Sequence, residues 1–207
     1  LAASPEEKQR VASQQTVAQT EKKRQKDVKD LHAQALTILC SETDIGRATS
    51  LYRQALDVEV VSSRREHAAL THMVDACTHW EDGNACLAQW DGVKSEAAYT
   101  AAQTAATHAA EVLGTPGYYG DEVQDKIQLD EAAHRALSTC LRRAQEEIAR
   151  KISFEGHMSA AQSHLDGARA IAALDELSQA EELAASPEEK QRVASQQTVA
   201  QTEKKRQ

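Results

Sequence analysis

His72, Asp75 and His79 stand at i, i+3 and i+7, one face of a helix, and Cys77 and Cys86 follow close by. Two imidazoles, a carboxylate and a thiolate are a ligand set that zinc accepts. Neither cysteine stands at a recognised zinc-site spacing, however, and an amphipathic helix needs polar residues on its outer face anyway. A solvated face is therefore the reading taken, and no metal ligand is assigned. His32, His67, His108, His134, His157 and His164 are scattered over helical positions, and none pairs with a Ser or Cys nucleophile in a recognisable motif. Phosphate-cradling glycine loops and paired zinc motifs are missing from the sequence. The expectation is a protein that is not an enzyme, with no catalytic residue and no cofactor.

What remains are residues suited to contact. Trp80 and Trp90 flank a predicted turn at Asp82, Gly83 and Asn84. There they serve either as a partner hot spot or as the seal at one end of a bundle. Tyr118 and Tyr119 fall in GTPGYYG, 114–120, where Pro116-Gly117 suits a type II turn. They are candidates for contact with a partner or an adjacent repeat. Glu21, Lys22, Lys23, Arg24, Lys26 and Asp27 read as a solvated connector, with an acidic surface such as tubulin as the alternative partner.

The elements that must position these residues are organised by a duplication. Residues 1–25, LAASPEEKQRVASQQTVAQTEKKRQ, return unchanged as residues 183–207, a period of 182 residues. Identity over 25 positions does not arise by chance, and an old duplication would have drifted. The expected arrangement is one full repeat, 1–182, and the opening of the next, cut from a longer array; an overlap introduced by cloning or design is the alternative. Ser186, Pro187 and Glu189, with Lys22, Lys23 and Arg24, are then the connector between repeats.

Composition narrows the class further. Aromatic residues make up 3% of the 207, and there are three prolines, a profile of long helices packed through small side chains. Formal net charge is −8; the duplicated segment carries five Lys/Arg against three Glu, so one period alone carries −10. Such a surface repels phosphate backbones, and nucleic acid is not an expected partner. No apolar run approaches the roughly 20 residues of a membrane span, and no membrane contact by the repeat is expected. Cys40, Cys77, Cys86 and Cys140 have no framework-like spacing and read as reduced, core-filling thiols of a cytoplasmic protein.

Ser4, Pro5, Glu6 and Glu7 form a strong helix start: a capping hydroxyl, proline at the first helical position, and carboxylates near the positive end of the dipole. Breaks and stripes predict five long helices at about 5–40, 44–81, 84–113, 121–154 and 157–185. In the first, Val28, Leu31, Ala35 and Ile38 form a core stripe, residues 19–27 hold no apolar side chain, and upstream the only seam is Val11, Gln14 and Ala18, or Val17. The second carries Ile45, Ala48, Tyr52, Ala55, Ala69 or Leu70, Met73, Cys77 and Trp80 inward; the third, Trp90, Val93, Ala97, Ala101, Ala105, His108 and Val112. GRATSLYRQAL, 46–56, resembles a tetratricopeptide helix, but an unbroken run from 44 to 81 is too long for one. Short turns require antiparallel packing. The fold class expected is all-α, an elongated antiparallel bundle of about five long helices. An odd count enters at one end and leaves at the other, so repeats string end to end as spectrin repeats do. The first half of helix 5–40 then packs beside the preceding repeat, and a chain ending at Glu182 is expected to melt at a lower temperature.

Near-identical helical repeats of this length, rich in Ala, Gln and Thr, resemble the giant tandem-repeat cytoskeletal proteins of trypanosomatid protists, among them the spacer of the tripartite attachment complex. The resemblance rests on the identity of 1–25 with 183–207 and on composition, and transfers no residue role. It implies a cytoplasmic, cytoskeleton-associated filament between the basal body and the mitochondrion that holds the kinetoplast genome. Its repeats would set the distance between two anchored ends and bear load, and its partners would be neighbouring repeats and cytoskeletal proteins. A helical scaffold whose repeats each bind a protein partner is the alternative function.

Overall fold

A computed structural model describes residues 4–41, 44–58, 64–114, 129 and 131–206. Its regular structure is entirely helical: α1 (Pro5–Ser41), α2 (Ile45–Val58), α3 (Arg64–Ala88), α4 (Gly92–Gly114), α5 (Glu131–Asp166), α6 (Ala170–Leu183) and α7 (Pro187–Arg206). The fold class is all-α. The chain divides into two compact units, 1–82 with 98–140, and 83–97 with 141–207. Helices α3, α4 and α5 each contribute residues to both.

In the first unit the second half of α1 packs against α2. Val28, Ala35 and Leu39 are buried on α1, and Ile45, Ala48, Tyr52 and Ala55 on α2. His32 Nδ1 and the Tyr52 hydroxyl lie 3.0 Å apart, which satisfies a phenol that would otherwise be buried unpaired. Ala69, Leu70, Met73, Cys77 and Trp80 of α3 are buried as well, so the stripe predicted along 44–81 is the core face. The helix expected over 44–81 is described as α2 and α3, with 59–63 outside the described residues. The 37-residue α1 packed against α2 is too long for a tetratricopeptide helix.

Two boundaries differ from expectation, each for a local reason. Asp82, Gly83 and Asn84 do not turn, because α3 runs on to Ala88. The turn comes at Trp90, whose φ is +60°, with the Asp91 N–H donating to the Cys86 carbonyl and the Trp90 N–H to that of Leu87. These two bonds are the Schellman closure of a helix C-terminus. Asp91 then caps α4, its carboxylate accepting from the Lys94 N–H at 3.1 Å. Gly83 is buried, and the Ser95 hydroxyl donates to its carbonyl at 2.8 Å.

Gly156 likewise does not end a helix, since α5 passes through it to Asp166. A lone glycine costs about 1 kcal/mol relative to alanine in a helix interior, less than the burial of Phe154 and Met158 on either side returns. The break falls at Ala168, φ +52°, again closed by a Schellman pair: Arg169 N–H to His164 carbonyl and Ala168 N–H to Leu165 carbonyl. On α4 the inward face is Gly92, Ser95, Tyr99, Ala102, Ala105, Ala106 and Ala109; of the predicted stripe only Ala105 is buried, and Val93 is exposed. Alanines on nearly every side of that helix leave its face to be chosen by Tyr99, the one large side chain fully buried among its described residues.

Residues 121–128, where the fourth predicted helix begins, lie outside the described residues. Six described helices begin within the first 182 residues, and a seventh begins in the second copy at Pro187.

Candidate functional site

The second unit is built around the repeated text. Ser186 and Glu189 form a reciprocal capping box at the start of α7: the Glu189 N–H donates to the Ser186 hydroxyl at 3.1 Å, and Glu189 Oε2 accepts from the Ser186 N–H at 3.1 Å. The first copy makes the same box, the Ser4 N–H donating to Glu7 at 2.7 Å and the Glu7 N–H to Ser4 at 3.2 Å. Both copies therefore start a helix by local chemistry alone. Their surroundings then diverge.

In α7, Val193 and Ala200 enter a hydrophobic cluster with Phe154, Met158 and Ala161 of α5 and Ala173, Leu177 and Ala180 of α6. Val193 is 1% exposed, whereas Val11, its counterpart 182 residues earlier, is 50% exposed. Residues 4–20 are exposed throughout, Ala18 and Glu7 included, while Ala200 and Glu189 are buried. The weak seam Val11, Gln14, Ala18 is thus the packing stripe in the copy that has something to pack against. Val17 and Val199 are exposed in both, so that alternative seam is not used.

Arg150 locks the start of α7. Its guanidinium holds Glu147 one turn back through Nε at 2.8 Å and Nη2 at 2.5 Å, and Glu189 through Nη1 at 2.9 Å and Nη2 at 3.0 Å. Nη1 also donates to the Leu183 carbonyl at 2.6 Å, satisfying the last carbonyl of α6. Burial pushes the Glu189 carboxyl up, but hydrogen bonds from Arg150, Ser186 and Ala185 outweigh it and hold the group below its ordinary range. The hydrogen bond with Glu147, joined by those with Glu189, raises Arg150 above its ordinary value against the desolvation that opposes it. Further along, Arg192 grips Glu155 of α5 bidentately at 2.6 and 2.9 Å and lies 5.4 Å over the Phe154 ring. The Arg192 hydrogen bonds hold the Glu155 carboxyl below its ordinary range. Gln197 donates to Glu181 of α6 at 2.7 Å.

Sequence reasoning named Ser186, Pro187 and Glu189 but missed Glu147, Arg150, Glu155 and Arg192. One signal was available: Glu147 falls on the α5 stripe between Ala144 and Phe154, and a carboxylate on an apolar stripe requires a cation. In α1, Lys22 and Lys23 are exposed and Arg24 is half-buried, gripping Glu21 at 3.0 and 2.6 Å.

The other contact candidates are dispersed. Trp80, at 1% exposure, is a core residue of the first unit and offers no surface to a partner, a correction that follows from its place on the α3 stripe. Trp90 is 41% exposed in the second unit, with the Arg150 guanidinium 6.0 Å over its ring. Tyr118 and Tyr119 lie outside the described residues. His72 sits edge-on to His108 at 5.5 Å. Cys77 is buried, which with the Glu81 charge pushes its thiol up to about 12, so it is poorly suited to act as a thiolate. None of the four cysteines forms a disulfide. Among the described residues no group of three or more His, Cys, Asp and Glu side chains could hold a metal ion, and no helix is long and apolar enough to cross a membrane. Comparison with protein-family models, curated proteins and solved structures gives no match.

Proposed function

We propose that the chain is a non-enzymatic repeat unit of a mechanical spacer, joined to its neighbours by shared helices. The observation that carries this reading is one text in two environments: residues 187–206 pack on α5 and α6, while of the identical residues 5–24 all through Thr20 stand exposed at the head of a helix that continues unbroken to Ser41. In an array, the first half of each α1 takes the seat that α7 occupies here, on the preceding repeat, and its second half packs within its own repeat through Val28, Ala35 and Leu39. A 37-residue helix is about 55 Å long at 1.5 Å per residue. It carries tension across the joint along its own axis, and repeat number sets the distance spanned. The resemblance to trypanosomatid cytoskeletal spacers supports a cytoplasmic setting between two anchored ends, the basal body and the mitochondrial genome, with cytoskeletal proteins as terminal partners.

Single-molecule stretching of a tandem of 182-residue periods tests the reading. Evenly spaced unfolding steps, one set per repeat, are the expected result. A tandem that extends without repeat-spaced steps, or a pulldown that returns one stoichiometric partner per repeat, would favour a partner-binding scaffold.

A further inference from the structure

We propose that the groove between α5 and α6 is a receptor site for residues 4–24 of a second copy of this chain, so that separate chains can be joined in trans. The proposal deepens the spacer reading and rests on the equivalence of the two copies. The occupant is specified by the structure itself: the text seated in the groove as residues 186–206 is present, already helical and exposed from Ser4 to Thr20, as residues 4–24.

Each groove contact has its donor in the first copy. Val11 and Ala18 replace Val193 and Ala200 among Phe154, Met158 and Leu177. Glu7 meets Arg150 as Glu189 does, and Arg10 meets Glu155 as Arg192 does. The Ser4–Glu7 capping box orders the incoming helix in advance, which lowers the entropy lost on docking.

What opposes exchange is the tether. α7 follows α6 after only three residues, Ala184, Ala185 and Ser186, so its effective concentration at the groove is of millimolar order or higher. An equal helix arriving from solution loses that competition until α7 is displaced. Tension on the segment beyond α7 provides such displacement: a joint pulled open leaves a vacant groove and frees a helix of the same text, and the helix freed at an opened joint of one filament fits the groove vacated at an opened joint of another. The groove thereby acts as a site of load-induced cross-linking or of repair between chains.

The test weakens the tethered copy alone. In the full chain carrying Val193→Asp and Ala200→Asp, a labelled peptide of residues 1–25 should bind saturably, one per chain. The same peptide carrying Val11→Asp should bind at least about tenfold more weakly, a loss of about 1.4 kcal/mol. Failure of the unaltered peptide to bind, or equal binding by both peptides, overturns the proposal. Circular dichroism checks that helix loss in the variant is confined to the share of α7. Should it be larger, the otherwise unaltered chain with a protease site inserted between Ala185 and Ser186 is cut after folding; the labelled peptide must then exchange with the released α7, and absence of exchange again overturns the proposal. Repeat-spaced stretching steps without peptide binding would leave the spacer standing and remove only docking in trans.

Discussion

Val11 and Val193 have the same neighbours for many residues on each side, yet only Val193 is buried. Nothing in the local sequence separates them, so any difference in their mutational cost belongs to tertiary packing. Val193→Ala should destabilise the chain by about 1.5–3 kcal/mol, the range for losing buried aliphatic volume. Val11→Ala should stay within about 0.5 kcal/mol of the parent, as exposed substitutions do. Paired urea melts measure the contrast directly, and equal costs would mean that α7 does not occupy its groove in solution. The seam of Val11, Gln14 and Ala18 was legible from spacing, and so was the capping box. Arg150 was not, because its partners are Glu147 on the same helix and Glu189 across 39 residues of sequence. An i,i+3 Glu–Arg pair is too common on helix surfaces to mark a buried lock.

At the scale of the element, two glycines differ in opposite ways. Gly156 stands between the helices predicted at 121–154 and 157–185 yet lies inside α5, where an added Cβ would meet nothing within 4 Å. Gly92 lies where α4 comes against α5; an added Cβ would sit 3.0 Å from the Ala144 carbonyl oxygen and 3.0 Å from Ile148 Cγ1. Gly156→Ala should therefore stabilise the chain by about 0.5–1 kcal/mol through helix propensity. Gly92→Ala should destabilise it by about 1–3 kcal/mol, because backbone must move to admit the methyl. Thermal melts of the two variants should shift in opposite directions, and a shared sign would show that α4 does not approach α5 this closely. Helix existence was legible wherever large apolar residues recurred, as along α1 and α3. Helix ends were not, since Trp90 and Ala168 adopt positive φ without the glycine that normally announces it. Schellman bonds made from Cys86 and His164 carbonyls close those ends whatever the side chain.

For the molecule as a whole, the joint carries a pH signature. Glu155 and Glu189 both sit below their ordinary range in the folded chain, so their contribution is fully present above the unfolded value of about 4.3. It is lost as pH falls through the folded values. Melting temperature should thus hold from neutral pH to about 5 and fall at more acid pH. Glu189→Gln should lower stability at pH 7 and flatten the acid slope, as read by circular dichroism; an unchanged slope would remove Glu189 from the titration. The sequence alone determined the helical class, the 182-residue period and the start of each copy, because composition, repetition and capping act within a few residues. Only the tertiary structure decided where helices turn and which face of α4 is inward. It also decided that the same text is bare in one place and packed in the other. Burial is a property of what a helix meets, and a segment identical in both places cannot encode that difference.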